Sequence, residues 1–417
     1  MHRTLALLGG LGLLPALGCG GKAVPDVPAE PAPQVDARPG IDVLLADSAH
    51  LVQGKRVGLV TNQTGIDTAG VSDVERLRAA GVRLVALFSP EHGFRGAAAP
   101  GAAVATTRDS ATGLPIYSLY GRTTAPTDQM LRGIDLLVVD LQDVGARYYT
   151  YISTAIEVMR AGARRDIPVL ILDRPNPLGG TMQGAVLDTA FASFVGRLPI
   201  PMRHGLTMAE MAMFAQAELA IGGTLLIVPA ADWSRNRTFD ETGLPFVPPS
   251  PNLPTLRSLF HYPGTCLFEG TNLSVGRGSE APFEQIGAPW LDTTRVLELV
   301  RKDGTPGVEF EGVTFTPRAP GDGKYADTAL VGIRLAVSNK DAYDPTRTAV
   351  HLLAAIRAVH RDRLAWIPAH FDRLAGSARL REALERGTAP AIITSRWAEE
   401  VYAFKRRIEP FLIKAYE

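Results

Sequence analysis

The sequence predicts an α/β fold, in which an open, mostly parallel, Rossmann-like sheet with helices on both faces precedes a smaller C-terminal α+β domain. Apolar runs without polar alternation recur along the first half of the chain, as expected of strands that are buried on both faces. Amphipathic stretches of helical periodicity separate these runs, and this alternation is typical of a parallel sheet.

The apolar runs that predict strands of the sheet are residues 57–61, 83–88, 135–140, 168–173 and 225–228. The predicted helices of this part are residues 74–80, 127–131, 150–164 and 208–221. In the last third, residues 308–315 and 328–337 alternate apolar and other residues, as half-buried strands do. Helices are predicted there at residues 346–361, 378–386 and 395–407.

Residues 1–19 predict a lipoprotein-type signal peptide, with a basic start, an apolar run too short to span a bilayer, and Cys19 as the lipidation site. An ordinary secretory signal is the alternative. Residues 20–39 form a predicted proline-rich tether, which would be extended and semi-rigid. We therefore expect an exported bacterial protein, lipid-anchored in the periplasm or cell envelope, whose membrane contact is the anchor alone.

Length and composition narrow the remaining choices. The chain has 417 residues, enough for two cores, and proline-rich residues 245–254 predict a junction between domains at residues 40–245 and 246–417. Basic and acidic residues balance at 43 each, so no basic excess indicates a nucleic-acid partner. Two cysteines are too few for a disulfide framework.

Polar residues follow four successive predicted strands, at residues 61–65, 89–93, 140–149 and 173–180. Ligands of open α/β sheets bind beyond the carboxyl ends of the strands, so these clusters predict a pocket. A further loop, residues 269–284, is rich in Gly, Asn, Ser, Arg and Glu and is predicted to face the pocket across a cleft. The sequence contains no dinucleotide fingerprint after the first strand, no Walker loop and no characteristic metal-ligand spacing, so neither a cofactor nor a metal is predicted.

Five ordered motifs resemble one bacterial family. They are residues 61–65 (Thr-Asn-Gln-Thr-Gly), 90–93 (Pro-Glu-His-Gly), 140–145 (Asp-Leu-Gln-Asp-Val-Gly), 173–177 (Asp-Arg-Pro-Asn-Pro) and 269–272 (Glu-Gly-Thr-Asn). From about residue 41 onward the chain resembles the exo-β-N-acetylmuramidases of the NamZ type, formerly the DUF1343 family. The resemblance implies a glycoside hydrolase that releases N-acetylmuramic acid from the non-reducing end of peptidoglycan-derived disaccharides or muropeptides, in cell-wall turnover or recycling. It also implies a site between the two domains and a catalytic glutamate at Glu91.

The residue types fit that chemistry. Most glycosidases use a protonated carboxyl group and a second group that stabilises or attacks the anomeric carbon. Glu91, next to His92 and partly shielded, could serve as the acid. Candidates for the second role are Asp140, Asp143, Asp173 and Glu269, and the substrate's 2-acetamido group is a further alternative. The predicted catalytic residues are Glu91, His92, Asp140 and Glu269.

Muramic acid carries a lactyl carboxylate, which the planar fork of an arginine is suited to bind. Arg147 and Arg277 lie inside motif stretches and are the candidates for this contact. Asparagine side chains can both donate to and accept from sugar hydroxyls and amides. The predicted substrate-binding residues are Asn62, Gln142, Asp143, Arg147, Tyr148, Asp173, Asn176, His204, Asn272 and Arg277.

Two other functional classes are possible from the sequence. A non-catalytic glycan-binding or muropeptide-binding lipoprotein would also have two domains, a cleft and a tether. A protein that binds anionic fragments should, however, avoid carboxylates in its pocket, and this sequence has them at three strand ends. An esterase or amidase would need a Ser-His-Asp arrangement, and the sequence contains no recognisable one.

The lipid anchor predicts membrane partitioning. Full-length protein should fractionate with membranes, whereas Cys19→Ser should lose the lipid and remain in the aqueous phase. Detergent partitioning of both proteins checks this, and equal behaviour would leave only plain secretion.

Overall fold

The computed structural model of the protein describes residues 37–99 and 101–417. The predicted signal peptide, Cys19 and most of the predicted tether lie outside these residues. Within them the strands are β1 (Arg56–Thr61), β2 (Arg83–Ser89), β3 (Thr107–Arg108), β4 (Pro115–Ser118), β5 (Leu136–Asp140), β6 (Val169–Leu172), β7 (Gln183–Val186), β8 (Pro201–Arg203), β9 (Leu225–Val228), β10 (Gln285–Ala288), β11 (Val308–Phe315) and β12 (Leu330–Val337). The α-helices are α1 (Gly40–Asp47), α2 (Asp73–Ala79), α3 (Tyr151–Arg164), α4 (Met208–Glu218), α5 (Leu256–Thr265), α6 (Thr293–Asp303), α7 (Pro345–Val359), α8 (Pro368–Ala375), α9 (Arg379–Glu385) and α10 (Pro390–Ile408). In this part of the chain no helix has the length and hydrophobicity needed to cross a membrane.

Seven strands form one sheet in the order β3-β4-β2-β1-β5-β6-β9. All neighbours pair in parallel except β3 and β4, which are antiparallel at one edge. The predicted mostly parallel sheet is thus confirmed, and the five predicted strands are β1, β2, β5, β6 and β9. The short edge strands β3 and β4 were not predicted. The predicted helix at 127–131 is wrong: the segment is a turn that ends at Gly133, where φ is 77°, and five residues are too few to offset helix nucleation.

Helices cover both faces of the sheet, because successive side chains of each strand point to opposite faces. Leu136 and Val138 of β5 pack in one hydrophobic cluster with residues of α1 and α2. Leu137 and Val139 of the same strand pack in the other cluster, with residues of α3 and α4. This pattern explains why the strands read as continuous apolar runs.

The smaller C-terminal part contains a three-stranded antiparallel sheet in the order β10-β12-β11, with helices packed around it. Residues of both sheets, such as Val139 and Ile333, belong to one continuous hydrophobic cluster. Packing therefore does not mark a boundary at residues 245 and 246, and that boundary stays a prediction.

The polar loops after four strands begin at the same edge of the sheet. Thr61 at the end of β1 is in register with Asp140 at the end of β5. On the other side of β1, Val60 is in register with Phe88 of β2. The loops that follow β1, β2, β5 and β6 therefore lie side by side, as the sequence predicted.

Asp173, predicted to bind substrate, holds the C-terminus instead. Its side chain is fully buried and accepts the N–H of Ala209 at 2.9 Å and the hydroxyl of Tyr416 at 2.8 Å. The Tyr416 hydroxyl in turn accepts the N–H of Ala230 at 2.7 Å. Because the side chain of Asp173 has no exposed surface, it cannot reach a substrate in this conformation, which argues against the predicted contact.

The buried position of Asp173 predicts an unusual pH dependence. Burial raises the pKa of this carboxyl group to about 7, whereas an unfolded Asp titrates near 3.9. Between these two pKa values, a rise in pH deprotonates the unfolded state while the folded state still holds its proton. The contribution of Asp173 to the free energy of unfolding therefore falls as the pH rises from about 4 to 7. In the variant Asp173→Asn this position stays uncharged at every pH. The free energy of unfolding of the variant minus that of wild type should therefore rise by up to about 1.4 kcal/mol per pH unit between about pH 4 and 7.

Urea unfolding at pH 5 and pH 7 measures this change. Asp135→Asn is the control, because its pairing with Arg56 at 2.7 Å lowers the pKa of Asp135. Asp135 is ionised in both the folded and the unfolded state at pH 5 and at pH 7, because both values lie above its unfolded pKa of about 3.9. Replacing Asp135 should therefore change the free energy of unfolding by the same amount at the two pH values. A pH-independent difference for Asp173→Asn would contradict the assignment.

Candidate active site

Glu91 lies in the loop directly after β2, where its carboxyl group is held from two sides. Oε1 accepts the backbone N–H of Gly101 at 2.8 Å. Oε2 accepts the hydroxyl of Thr150, at the N-terminal end of α3, at 2.7 Å. The residue is 8% exposed. These contacts fix one orientation of the carboxyl group at the carboxyl edge of the sheet.

Tyr120 belongs to the same cluster, although no sequence motif predicted it. Burial, together with the nearby Glu91 carboxylate, raises the pKa of the Tyr120 hydroxyl to about 12. The hydroxyl is therefore neutral at pH 7 and available as a donor to Glu91. Tyr120 comes two residues after β4, so a sequence prediction of this short edge strand would have placed Tyr120 beside the loop of Glu91.

His92 has a strained backbone and a defined tautomer. Its φ of 69° lies in the left-handed region that residues other than glycine seldom adopt, and such strain is concentrated at functional sites. Nδ1 lies 2.9 Å from the carbonyl oxygen of Ala98. Because a carbonyl can only accept, Nδ1 carries the hydrogen. Burial lowers the pKa of His92, and the positive charge of Arg277 adds to this effect, so the ring is neutral and Nε2 is an acceptor.

A group of tyrosines connects this loop with the C-terminal part of the chain. The hydroxyls of Tyr149 and Tyr151 both donate to the carbonyl of Pro249, at 2.8 and 2.9 Å. Burial raises the pKa of both hydroxyls, and the Glu91 charge contributes to the rise. The Tyr149 ring also makes an edge contact with Tyr262, with centroids 6.4 Å apart. These contacts bring the proline-rich segment against the start of α3, where Thr150 donates to Glu91.

Arg277 approaches His92 from the C-terminal part. Its Nε donates to Oε1 of Glu269 at 2.6 Å, and its guanidinium lies 5.0 Å from the ring centroid of Phe283. Among the described residues, its buried Nη1 has no hydrogen-bond partner. Lys324 supports the same loop by donating to the carbonyls of Glu269 and Leu273, at 2.9 and 3.1 Å. Glu269, predicted to be catalytic, thus orients Arg277, while Arg277 retains an unused donor.

Asp140 is buried in an ion pair, which argues against the predicted catalytic role. It is fully buried, and Arg174 donates to both of its oxygens, with Nη2 at 3.0 Å from Oδ2. Asp73 lies 3.7 Å from the same guanidinium. Burial, with the charge of Asp140 nearby, raises the pKa of Asp73 well above its ordinary value. This ion pair is an internal part of the sheet edge.

Arg147 is likewise buried, which argues against its predicted contact with the lactyl group, although its Nε has no partner in the described residues. It is 1% exposed, and Nη1 donates to the carbonyls of Ala185 and Ile200 at 2.6 and 2.9 Å. Nη2 donates to the carbonyl of Leu374 at 2.8 Å, and burial lowers the pKa of Arg147 to about 10. Tyr148 is also buried and donates to the carbonyl of Pro263, so it offers no face to a sugar.

The loops after β5 and β6 are held by the predicted binding residues themselves. His204 Nε2 lies 3.1 Å from Oδ2 of Asp143, and its Nδ1 accepts the N–H of Leu206. Gln142 donates to the carbonyls of Asp143 and Pro175 at 2.9 and 3.0 Å. Asn176 donates to the carbonyl of Leu206 at 2.8 Å. These contacts argue against the predicted substrate contacts of Gln142, Asn176 and His204; Asp143 keeps one oxygen, Oδ1, without a partner in the described residues.

The two remaining asparagines differ in position. Asn272 bonds the backbone of Arg363 and Ala365, each at 2.9 Å, and so fixes its own loop instead of contacting a sugar. Asn62 donates to the Tyr151 hydroxyl at 2.7 Å, which keeps it beside the Glu91 cluster. The structure therefore brings together Glu91, His92, Arg277, Glu269 and Asn62 of the predicted residues, and adds Tyr120.

Both the N-terminal and the C-terminal part of the chain match family profiles. A family profile described as exo-β-N-acetylmuramidase NamZ, N-terminal, matches residues 57–257, and its C-terminal counterpart matches residues 260–413. The chain belongs to the NamZ family. The motif containing Glu91 and the loop containing Arg277 thus come from the two parts into which the NamZ profiles divide the chain.

Individual relatives of the NamZ family agree with this assignment. The chain is 40% identical over 394 residues to the peptidoglycan β-N-acetylmuramidase NamZ of Bacillus subtilis (strain 168), covering 94% of both chains. A crystal structure of a DUF1343 family protein from Bacteroides fragilis is 33% identical, with a TM-score of 0.84 over 91% of this chain and 100% of that one. A second such protein from the same organism is 32% identical, with a TM-score of 0.75 over 91% and 99% of the two chains.

Proposed function

We propose that this protein is an exo-acting glycoside hydrolase that releases N-acetylmuramic acid from the non-reducing end of peptidoglycan fragments, in cell-wall turnover or recycling. The observation that carries the proposal is Glu91: it occupies the motif in which the family resemblance implies the catalytic glutamate, at the ligand-binding edge of the sheet. Its carboxyl group is oriented by Gly101 and Thr150, as a group that transfers a proton along a defined direction requires.

Glu91 acts as general acid and then as general base. In the first step its proton passes to the glycosidic oxygen as the bond to the anomeric carbon breaks. In the second step the resulting carboxylate takes a proton from the water that attacks the anomeric carbon. The neutral His92 accepts a hydrogen bond from a sugar hydroxyl through Nε2, which its bond to Ala98 leaves unprotonated.

The substrate's 2-acetamido group is the nucleophile in this proposal. Asp140 and Asp173 are buried with internal partners, and Glu269 is paired with Arg277. Asp143 is buried and accepts the N–H of Gly145 at 2.7 Å. Asp140, Asp173 and Glu269 are thus engaged within the protein, and Asp143 is held beside His204 through Oδ2 while Oδ1 has no partner in the described residues. In this proposal the acetamido oxygen attacks the anomeric carbon and forms an oxazolinium ion, which water opens to restore the acetamido group.

Arg277 recognises the lactyl carboxylate of muramic acid. Its Nη1 is buried and has no partner in the described part of the chain. A buried donor without a partner is costly, and a ligand carboxylate would satisfy it. Glu269 and Lys324 hold the arginine and its loop in place. The preference for muramic acid over glucosamine units therefore resides in the C-terminal part of the chain.

We further propose that the enzyme is exported and anchored through a lipid on Cys19. The signal-like N-terminus and the proline-rich stretch after it support this location. The anchor would be the only membrane contact, the folded part would act on peptidoglycan fragments at the cell envelope, and no nucleic acid would be a partner.

Glu91→Gln tests the central assignment. Glutamine keeps the shape of the side chain but cannot deliver a proton, and loss of a general acid costs about two to four powers of ten in rate. Turnover of the natural disaccharide, N-acetylmuramic acid linked to N-acetylglucosamine, should fall by that factor. The loss should be smaller for an aryl glycoside, because a good leaving group needs less protonation.

Glu284→Gln provides a matched control. Glu284 is also a buried glutamate that accepts a threonine hydroxyl, from Thr255 at 2.7 Å, but it lies in another loop. It should retain turnover of both substrates. Near wild-type activity of folded Glu91→Gln on both would show that the catalytic centre lies elsewhere, and would revive the alternative of a binding protein.

Arg277→Ala tests the recognition of muramic acid. Loss of a hydrogen bond to a charged group costs about 1.5–3 kcal/mol. The ratio of kcat/KM for muramic acid to that for glucosamine aryl glycosides should fall by about one to two powers of ten. Arg318→Ala, whose side chain is 73% exposed, should leave the ratio unchanged.

The Arg277 variant also leaves Glu269 unpaired, which can destabilise the fold. The double variant Arg277→Met with Glu269→Gln removes both charges together and should show the same change in substrate preference. An unchanged preference in both folded variants would place the recognition of the lactyl group elsewhere.

A further inference from the structure

An open groove of 840 Å³ lies beside the loop that carries Glu91. Its walls come from the loop after β1, the helix α2, the end of the Glu91 loop and the turn between β3 and β4. We call it the outer groove. Pockets for small ligands usually measure about 300–1,000 Å³, so its size suits a ligand of one or two sugar units. None of the residue roles assigned above explains this space.

Direct packing connects the outer groove with the Glu91 loop. Phe94 and Arg95 follow the Glu91 motif in the same loop and line the groove. Gly96 packs so closely on Gln63 that an added Cβ would lie 2.1 Å from the Gln63 side chain. Asn62 also lines the groove and donates to Tyr151 at 2.7 Å. The groove therefore borders the loop that carries Glu91.

The lining of the outer groove suits an N-acetylated sugar. Phe94 is half-buried and can cover the apolar face of a sugar ring. Gln63 donates to the carbonyl of Pro248 at 2.9 Å, while its buried Oε1 accepts no hydrogen bond from the described residues. Such an acceptor is satisfied by a hydroxyl or an amide N–H, and an N-acetylated sugar offers both.

The charges of the outer groove favour a glycan over an acidic peptide. Arg78 and Arg95 contribute two positive charges to the lining, and Glu75 and Asp109 contribute two negative charges. Arg95 lies 4.0 Å from Asp109, so one of these pairs is already in contact. A balanced lining gives no general attraction for carboxylates, whereas charged groups of both signs make good hydrogen bonds to sugar hydroxyls.

We propose that the outer groove binds the leaving-group side of the substrate, meaning the sugar units beyond the one that is released. The inference rests on the proposed function. An exo-acting hydrolase encloses one terminal sugar, and the rest of the chain must pass out along an open path. The outer groove is such a path, because it is open and starts at the Glu91 loop. Binding of these remote sugars would then contribute to kcat/KM for longer chains.

Steady-state kinetics with three substrates test the proposal. They are an aryl β-glycoside of N-acetylmuramic acid, the disaccharide, and a peptide-free tetrasaccharide of two disaccharide units. Wild type should give a higher kcat/KM with the tetrasaccharide than with the disaccharide. The double variant Arg78→Ala with Arg95→Ala should lower kcat/KM for the tetrasaccharide by about tenfold and leave the aryl glycoside unchanged.

A second variant and a control complete the design. Ala111→Trp, in the exposed turn between β3 and β4, fills the outer groove without removing a charge, and should produce the same selective loss. Arg132→Ala removes an exposed arginine outside the lining and should change none of the three values.

The outcomes separate the groove from the proposed function. Normal hydrolysis of all three substrates by the groove variants, or an equal loss on all three, overturns the groove proposal alone. The same tetrasaccharide carrying stem peptides is measured beside the peptide-free one: a loss confined to the peptide-bearing substrate would show a peptide site, and the glycan proposal would be wrong. A wild-type protein that hydrolyses none of the three overturns the proposed function and the groove with it.

Discussion

The carboxyl edge of the sheet depends on one buried ion pair, between Asp140 at the end of β5 and Arg174 just after β6. Arg174 also donates to the carbonyl of Ile66 at 2.8 Å, so three neighbouring loops share one guanidinium. Burying charges is costly unless they are paired and hydrogen-bonded. A second carboxyl group, Asp73, faces the same cation, and burial together with the charge of Asp140 raises the pKa of Asp73. The loop of Glu91 is built next to this fixed edge.

Hydrogen-bond satisfaction separates the scaffold from the candidate site. Most polar side chains at the strand ends, such as Asn176 and His204, use their donors and acceptors on neighbouring backbone or on one another. Several buried polar atoms have no such partner among the described residues, and Nη1 of Arg277, Oε1 of Gln63 and Oδ1 of Asp143 are among them. The tautomer of His92 also leaves its Nε2 as an acceptor. Because buried polar groups are normally paired, those that lie near Glu91 are candidates for contact with a ligand.

The candidate site requires both parts of the chain. Glu91 and His92 come from the parallel sheet, whereas Arg277 comes from the loop between α5 and β10. Tyr149 and Tyr151 hold the connecting proline-rich segment through the carbonyl of Pro249. In the proposed mechanism, catalysis and substrate preference are supplied by different segments, which the shared hydrophobic cluster and these hydrogen bonds hold together.

The sequence by itself determined the parallel sheet, the order of its strands along the chain and the loop that holds Glu91, because hydrophobic periodicity and short motifs are local signals. It could not tell which polar residues face a ligand. That depends on partners far away in the chain: Arg147 donates to Leu374, 227 residues distant, and Asp173 accepts from Tyr416, 243 residues distant. Tyr120 was missed for the same reason, since only the pairing of β4 with β2 brings it to Glu91. Tertiary packing alone decides which buried polar atoms are satisfied and which remain available.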